Sequence, residues 1–93
     1  MARLRDLTGE QVIAILGDFG YHVAAREGEY VKVRKPVARG TSHAITFPRV
    51  KDLDRLALAA IFQEARQYVP EERLRRRFYE DLPPFPPREG TGG

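Results

Sequence analysis

The sequence contains no cysteine, which excludes disulfide bonds and thiolate metal sites as supports for the fold. It has no apolar run that approaches the length of a membrane span, and its N-terminal segment lacks the long apolar core of a secretory signal. We therefore expect a soluble, cytoplasmic protein, and nothing in the sequence indicates a membrane partner, a cofactor or a metal ion. A chain of 93 residues has room for one small domain that buries about 60–65% of its unfolded surface.

Acidic residues are missing from the middle of the chain. The formal net charge is only +3, which an ordinary soluble protein can carry. Between Tyr30 and Lys51, however, there are cations and no Asp or Glu; these cations are Lys32, Arg34, Lys35, Arg39, Arg49 and Lys51. Such a focus of positive charge favours contact with a nucleic acid. The alternative is a sheet surface whose lysines and arginines only prevent aggregation.

A helix is predicted near the start of the chain. Thr8 and Gln11 form a capping-box pattern. Apolar residues then recur at helical spacing from Val12 until Gly20, a residue suited to the end of a helix. These features predict a first helix of roughly three turns.

Three short segments with alternating side chains follow this helix, at residues 21–26, 30–35 and 42–47. Gly28 lies between the first two segments, where it can supply the positive φ of a tight hairpin turn. Pro36 cannot donate to a paired central strand, so the second segment is expected to end there, before a polar loop. Pro48 closes the third segment. The pattern therefore predicts three antiparallel strands.

A second helix is predicted to begin at Asp52 or Asp54 and to end before Pro70. Its apolar stripe consists of Leu58, Ile61, Phe62, Ala65 and Tyr68. The predicted order is therefore α-β-β-β-α, an α+β fold in which a three-stranded antiparallel sheet carries both helices on one face. Leu74 and Phe78 are four residues apart and predict a short third helix.

The chain divides into a predicted domain at residues 1–69, a helical extension at 70–82 and a Pro/Gly-rich tail at 83–93. Between residues 70 and 93 the cations are balanced by an equal number of acidic residues. We therefore expect the arginines of the extension to form a solvated helix face rather than a basic tail. The tail contains few residues that bury surface, so it is expected to be extended or flexible.

Residues 8–66 resemble the HicA family of small toxins from toxin–antitoxin pairs. The resemblance is carried by Gly20-Tyr21 after the first helix, Gly28 in the hairpin, Thr46-Phe47-Pro48-Arg49 before the second helix, and Leu58 and Ile61 within it. It implies the fold of a double-stranded RNA-binding domain and the activity of a ribosome-independent mRNA endonuclease. It also implies RNA as the ligand and a HicB-like antitoxin as a protein partner.

The sequence departs from the family at the catalytic histidine, which follows a Gly-Ser pair in the hairpin. Tyr30 occupies that position here, after Gly28 and Glu29, and Val50 replaces a second family histidine. Attack by an RNA 2′-hydroxyl benefits from a group that exchanges a proton near neutral pH. Imidazole does so with a pKa of about 6.5, whereas a tyrosine hydroxyl has a pKa of about 10. Tyr30 is the catalytic candidate by position, but its chemistry predicts lost or attenuated cleavage.

The two histidines of the chain receive different predictions. His43 shares the alternation of Ile45 and Phe47, so we expect it to face the helices and to be structural. His22 alternates with Tyr21 and Val23, so we expect it on the face of the sheet that the helices leave uncovered, the open face. His22 and Tyr30 would lie about 13 Å apart along the strands, which is too far for a direct proton relay.

A three-residue hairpin loop at 27–29 would pair Arg26 with Tyr30 and His22 with Arg34. The open face would then contain His22, Arg26, Tyr30, Lys32, Arg34 and Thr46. The predicted RNA-binding residues are His22, Arg26, Lys32, Arg34, Lys35, Arg49 and Lys51.

Three functions are compatible with these features. The first is a HicA-like RNA-binding protein of toxin–antitoxin type whose nuclease activity is lost or attenuated. The second is an active mRNA endoribonuclease with a rearranged site that uses Tyr30, Glu29 or His22. The third is a protein-interaction domain whose cations only keep the sheet soluble. The loss of the central acid–base group without a visible substitute favours the first.

Overall fold

A three-stranded antiparallel sheet lies at the centre of the structure, a computed structural model that describes residues 2–81. In chain order the elements are β1 (Ala2–Leu4), α1 (Gly9–Gly17), β2 (His22–Glu27), β3 (Tyr30–Ala38), β4 (Thr41–Pro48), α2 (Arg55–Ala65), α3 (Glu71–Phe78) and β5 (Tyr79–Asp81). The predicted α+β class and the α-β-β-β-α order are confirmed. Across residues 2–81, no helix is long and apolar enough to cross a membrane.

Local sequence signals set the starts of both main helices. The Thr8 hydroxyl accepts from the Gln11 backbone N–H at 3.0 Å, and the Gln11 side chain accepts from the Thr8 N–H at 2.8 Å. The predicted capping box is therefore present. Of the two aspartates predicted to cap α2, it is Asp54 that accepts from the Ala57 N–H, at 2.7 Å.

The strand order is β2-β3-β4, and both pairs are antiparallel. A two-residue turn at Gly28 and Glu29 joins β2 to β3, and Gly28 adopts the predicted positive φ, at 60°. β3 continues through Pro36 to Ala38, so the prediction that it ends at Pro36 is wrong. β2 pairs with β3 only as far as Arg34. Pro36 therefore has a neighbouring strand, β4, on one side only. An edge position of this kind tolerates a residue without an N–H.

Both main helices pack on one face of the three-stranded sheet, as predicted. The buried core includes strand residues Val31, Val33, Ile45 and Phe47 and helix residues Val12, Leu16, Leu58, Ile61 and Phe62. The strand residues between them alternate outward, and Arg34 and Thr46 are exposed. We refer to this uncovered side of the sheet as the open face. It is the side of the sheet that a ligand can reach directly.

The third helix contributes to the same core. Leu74 and Phe78 are fully buried, and the Phe78 ring lies 5.8 Å from the Phe62 ring. β5 follows α3 directly and pairs antiparallel with β1, in a two-stranded sheet that the sequence patterns did not predict. The predicted tail at residues 83–93 lies outside the described part of the chain.

Candidate nucleic-acid interface

Polar and small side chains cover the open face. β3 contributes Tyr30, Lys32 and Arg34, and β4 places Thr46 beside Lys32. β2 contributes His22, whose partner on β3 is Arg34, as predicted. Tyr30 is 56% exposed, although it is an aromatic residue in a strand. The open face therefore combines an accessible ring with two cations on a single strand.

Lys32 and Arg34 are available to an anion. Neither side chain forms an ion pair within residues 2–81. The residues directly opposite them on the neighbouring strands are Ala25, Thr46, His22 and Ala44. None of these is acidic, so no carboxylate directly across the ladder neutralises either cation.

A β-bulge in β2 moves Arg26 off the open face. The register shifts after Val23, and Arg26 lies opposite Val31, which is buried under the helices. The prediction that Arg26 pairs with Tyr30 is therefore wrong, because the hairpin turn has two residues rather than three and Glu27 takes that position. The bulge thus replaces a cation by a carboxylate beside the exposed ring, which lowers the positive charge of this face.

Two other predicted RNA contacts are engaged within the protein. The Lys35 ammonium donates to the Phe19 carbonyl at 2.9 Å, which ties β3 to the turn after α1. The Arg49 guanidinium donates to the Glu10 carboxylate at 2.8 Å in an exposed ion pair. Lys51 is exposed in the connection that leads to α2. Of the predicted set, the residues that the open face brings together are His22, Lys32 and Arg34.

The Tyr30 hydroxyl has no hydrogen-bonded acid–base partner within residues 2–81, although Glu27 lies opposite Tyr30 on β2. Among residues 2–81, no side chain forms a hydrogen bond with its hydroxyl. His22 lies beside Arg34, four residues further along β3, which corresponds to about 13 Å at the usual strand rise. Transfer of a proton between His22 and Tyr30 would therefore require intervening groups.

A histidine-centred hydrogen-bond chain lies on the helix side of the sheet. Tyr21 Oη and His43 Nδ1 are 2.7 Å apart, and His43 Nε2 and Glu64 Oε1 are 3.0 Å apart. In a neutral ring with the proton on Nε2, that N–H donates to the carboxylate while Nδ1 accepts from the tyrosine hydroxyl. Tyr68 stacks on the imidazole with 4.4 Å between ring centroids. His43 therefore faces the helices, as the strand alternation predicted, and joins β4 to α2.

Within these hydrogen-bonded residues, Tyr21 is unsuited to act as a nucleophile. It is only 4% exposed. Burial, followed by the nearby Tyr68 and Glu64 side chains, raises the pKa of Tyr21 from 10.0 to about 12. An activated nucleophile would need the opposite shift or an adjacent base that can reach the substrate. We therefore interpret the Tyr21–His43–Glu64 hydrogen bonds as a structural support. Strand alternation predicted the direction of His43 but carried no signal for its partners.

Replacing Tyr21 by phenylalanine is expected to lower the free energy of unfolding by about 1 kcal/mol at neutral pH, because His43 loses a hydrogen bond. The wild-type protein should also lose stability between pH 10 and 12, since the unfolded tyrosine ionises at about pH 10 while the folded one keeps its proton until about pH 12. Tyr21→Phe removes this titration, so its stability should fall less steeply there. Urea denaturation at pH 7 measures the first effect, and a series between pH 10 and 12 measures the second. Equal slopes for the two proteins would contradict the assignment.

No protein family, curated protein or solved structure matches the chain, so comparison with known proteins does not assign a function to these residues. In the part of the chain that the structure describes, no three His, Asp or Glu side chains are placed to hold a metal ion. Function is therefore inferred from the side chains of the open face.

Proposed function

We propose that the protein is a cytoplasmic, HicA-like RNA-binding module of toxin–antitoxin type whose nuclease activity is lost or attenuated. The observation that carries the proposal is the placement of the exposed Tyr30 ring on the same strand and the same side as Lys32 and Arg34. An exposed aromatic ring can stack on an RNA base, and cations further along the strand can meet the phosphates. A HicB-like antitoxin is the protein partner that we propose for such a module.

Two features of the open face favour RNA binding over cations that merely prevent aggregation. Protective charges act on edge strands, where unpaired backbone groups invite another strand. Lys32 and Arg34 lie instead on β3, which has β2 and β4 on its two sides at these positions. A protective role also leaves the exposed Tyr30 ring unexplained, since protection against aggregation relies on charged side chains. The three side chains together are better suited to a ligand with both rings and negative charge.

The surroundings of Tyr30 support lost or attenuated cleavage. A tyrosine hydroxyl can donate a hydrogen bond, and its ring can stack, without any proton exchange. Efficient acid–base catalysis requires a group that changes protonation near the working pH and lies within reach of the reacting atoms. Within residues 2–81, no histidine or carboxylate is hydrogen-bonded to the Tyr30 hydroxyl. The position therefore keeps features useful for binding while it lacks those needed for rapid cleavage.

RNA affinity is expected to fall steeply as the salt concentration rises, and the double variant Lys32→Ala, Arg34→Ala should flatten that dependence. Each cation that meets a phosphate of a single strand contributes about 0.7 to the slope of log K against log salt, so the double variant should lose about 1.4. Fluorescence anisotropy of a labelled single-stranded oligoribonucleotide, measured at several salt concentrations, gives both slopes. A labelled RNA duplex in the same assay shows which form the open face prefers.

The matched control is the double variant Arg55→Ala, Arg66→Ala, which removes the same charge from exposed residues of α2 and its C-terminal end. Its salt slope should stay close to that of the wild type. Tyr30→Ala should weaken single-strand binding by about 1–3 kcal/mol if the ring stacks on a base, and Tyr30→Phe should preserve binding. Salt-independent binding, or equal losses in the two double variants, would contradict RNA binding at the open face.

A further inference from the structure

A second group of cations lies on the helix side of the protein, away from the open face. Its members are Arg5, which contacts the end of α3, and Arg73, Arg75, Arg76 and Arg77 of α3. Arg75 bonds to Glu71 and Arg77 to Asp18, at 2.8 and 2.9 Å. The other three arginines of this group form no ion pair within residues 2–81. Among the described residues, Arg5, Arg73 and Arg76 therefore have no paired carboxylate, although Glu72 and Glu80 line the adjoining groove together with Arg5 and Arg76.

Three of these cations border a groove between α1 and α3, which we call the α1/α3 groove. It has a volume of about 350 Å³ and is lined by Arg5, Leu7, Gln11, Ala14, Ile15, Arg76 and Arg77. The volume lies within the range of about 300–1,000 Å³ that is usual for ligand sites. The lining thus combines three arginines with three apolar residues, of which Ala14 is exposed while Leu7 and Ile15 are mostly buried in the core, and it contains no acidic residue.

The fold holds the arginines of the groove close together. Arg5 Nε donates to the Tyr79 carbonyl at 3.2 Å, and Arg5 Nη2 lies 3.5 Å from the Arg76 carbonyl oxygen. These contacts fix the Arg5 guanidinium at the C-terminal end of α3, next to Arg76. Like charges held around one groove repel each other, and an anionic group that enters the groove relieves that repulsion.

We propose that the α1/α3 groove binds an acidic, amphipathic segment of a partner protein. Carboxylates of the segment would pair with the guanidinium groups of Arg5 and Arg76, whose planar forks match carboxylate geometry. Apolar side chains of the same segment would pack on the exposed Ala14 and on the aliphatic stems of the arginines. This interface does not depend on RNA binding, because it uses the helix side and the open face uses the opposite side of the sheet.

The lining of the groove favours a protein segment over a nucleic acid. Phosphates would neutralise the arginines, but a sugar–phosphate backbone offers no aliphatic side chains to cover Ala14 and the arginine stems. The residues that line the groove also include no aromatic ring on which a base can stack. An amphipathic acidic segment satisfies both the charge and the apolar surface of the site.

The test uses the full chain and a labelled synthetic peptide of sequence EELLEELLEELL, with binding followed by fluorescence anisotropy. Arg76→Glu, which reverses an exposed charge of the groove, should weaken binding by about 10-fold or more. The matched control Arg55→Glu reverses an exposed charge outside the groove and should have little effect. The double variant Lys32→Ala, Arg34→Ala should also bind the peptide normally, which separates this site from the open face.

A second peptide, EEGGEEGGEEGG, has the same charge without the apolar side chains and should bind much more weakly. The proposal is overturned if the first peptide does not bind, if the two peptides bind equally, or if Arg76→Glu and Arg55→Glu weaken binding to the same extent. It is also overturned if Arg76→Glu weakens RNA binding more than peptide binding. The proposed function fails separately, when RNA affinity does not depend on Lys32 and Arg34.

Discussion

Replacing Tyr30 by histidine together with Glu29→Ser is expected to raise RNA cleavage by about 10²–10⁴-fold, the usual contribution of general acid–base catalysis. The histidine supplies a group that exchanges a proton near neutral pH, and the serine removes a carboxylate that repels phosphate at the turn. Tyr30 is largely exposed, so the smaller imidazole can be placed there without creating a cavity in the core. The cleavage rate of a labelled RNA near neutral pH measures the gain.

Three single variants serve as controls for this result. Glu29→Ser alone should not create a nuclease, and Tyr30→Phe should leave the slow or absent cleavage of the unaltered protein unchanged. Rapid cleavage by the unaltered protein that Tyr30→Phe abolishes would instead make the tyrosine hydroxyl catalytic. Loss of such activity in His22→Ala would identify the open-face histidine as part of a rearranged site.

Phe78→Ala is expected to lower the free energy of unfolding by about 3–5 kcal/mol. The Phe78 ring is fully buried and packs against Phe62 of α2, so its removal leaves a cavity between the two helices. Small domains have a total stability of only about 5–15 kcal/mol, so this variant should be close to unfolding at ordinary temperature. Urea denaturation followed by circular dichroism measures the change.

Leu56→Ala is the appropriate control for Phe78→Ala. Leu56 is an apolar residue of α2, but it is 85% exposed, so its truncation should change stability by no more than about 0.5 kcal/mol. If Phe78→Ala lowered the free energy of unfolding no more than Leu56→Ala does, α3 would be dispensable for the core, as expected of an appended helix.

Much of the candidate interface was predictable because strand alternation depends on near neighbours. The alternation correctly placed Lys32 and Arg34 on the open face and His43 on the helix side. It failed at Arg26, because one inserted residue reverses the direction of the side chains that follow it. The inserted residue lies in a run of two alanines, which carries no signal for a bulge.

The sequence by itself determined the order of the main elements and the start of α1. The contacts responsible are local. Thr8 and Gln11 are three residues apart, and the hairpin turn depends on the positive φ of Gly28 itself. Such contacts form with little dependence on the rest of the chain. The sequence also determined the sides of β3 and β4, since alternation must place their apolar residues together against the helices.

Only the tertiary structure decided the pairing of β1 with β5, the burial of α3 and the partners of His43. Each joins residues that are distant in the chain: Arg5 bonds to a carbonyl 74 residues away, and His43 to a carboxylate 21 residues away. β1 and β5 have three residues each, too few to show a periodic pattern. The positions of these groups depend on how α2 and α3 pack against the sheet, and packing depends on all the contacting side chains at once.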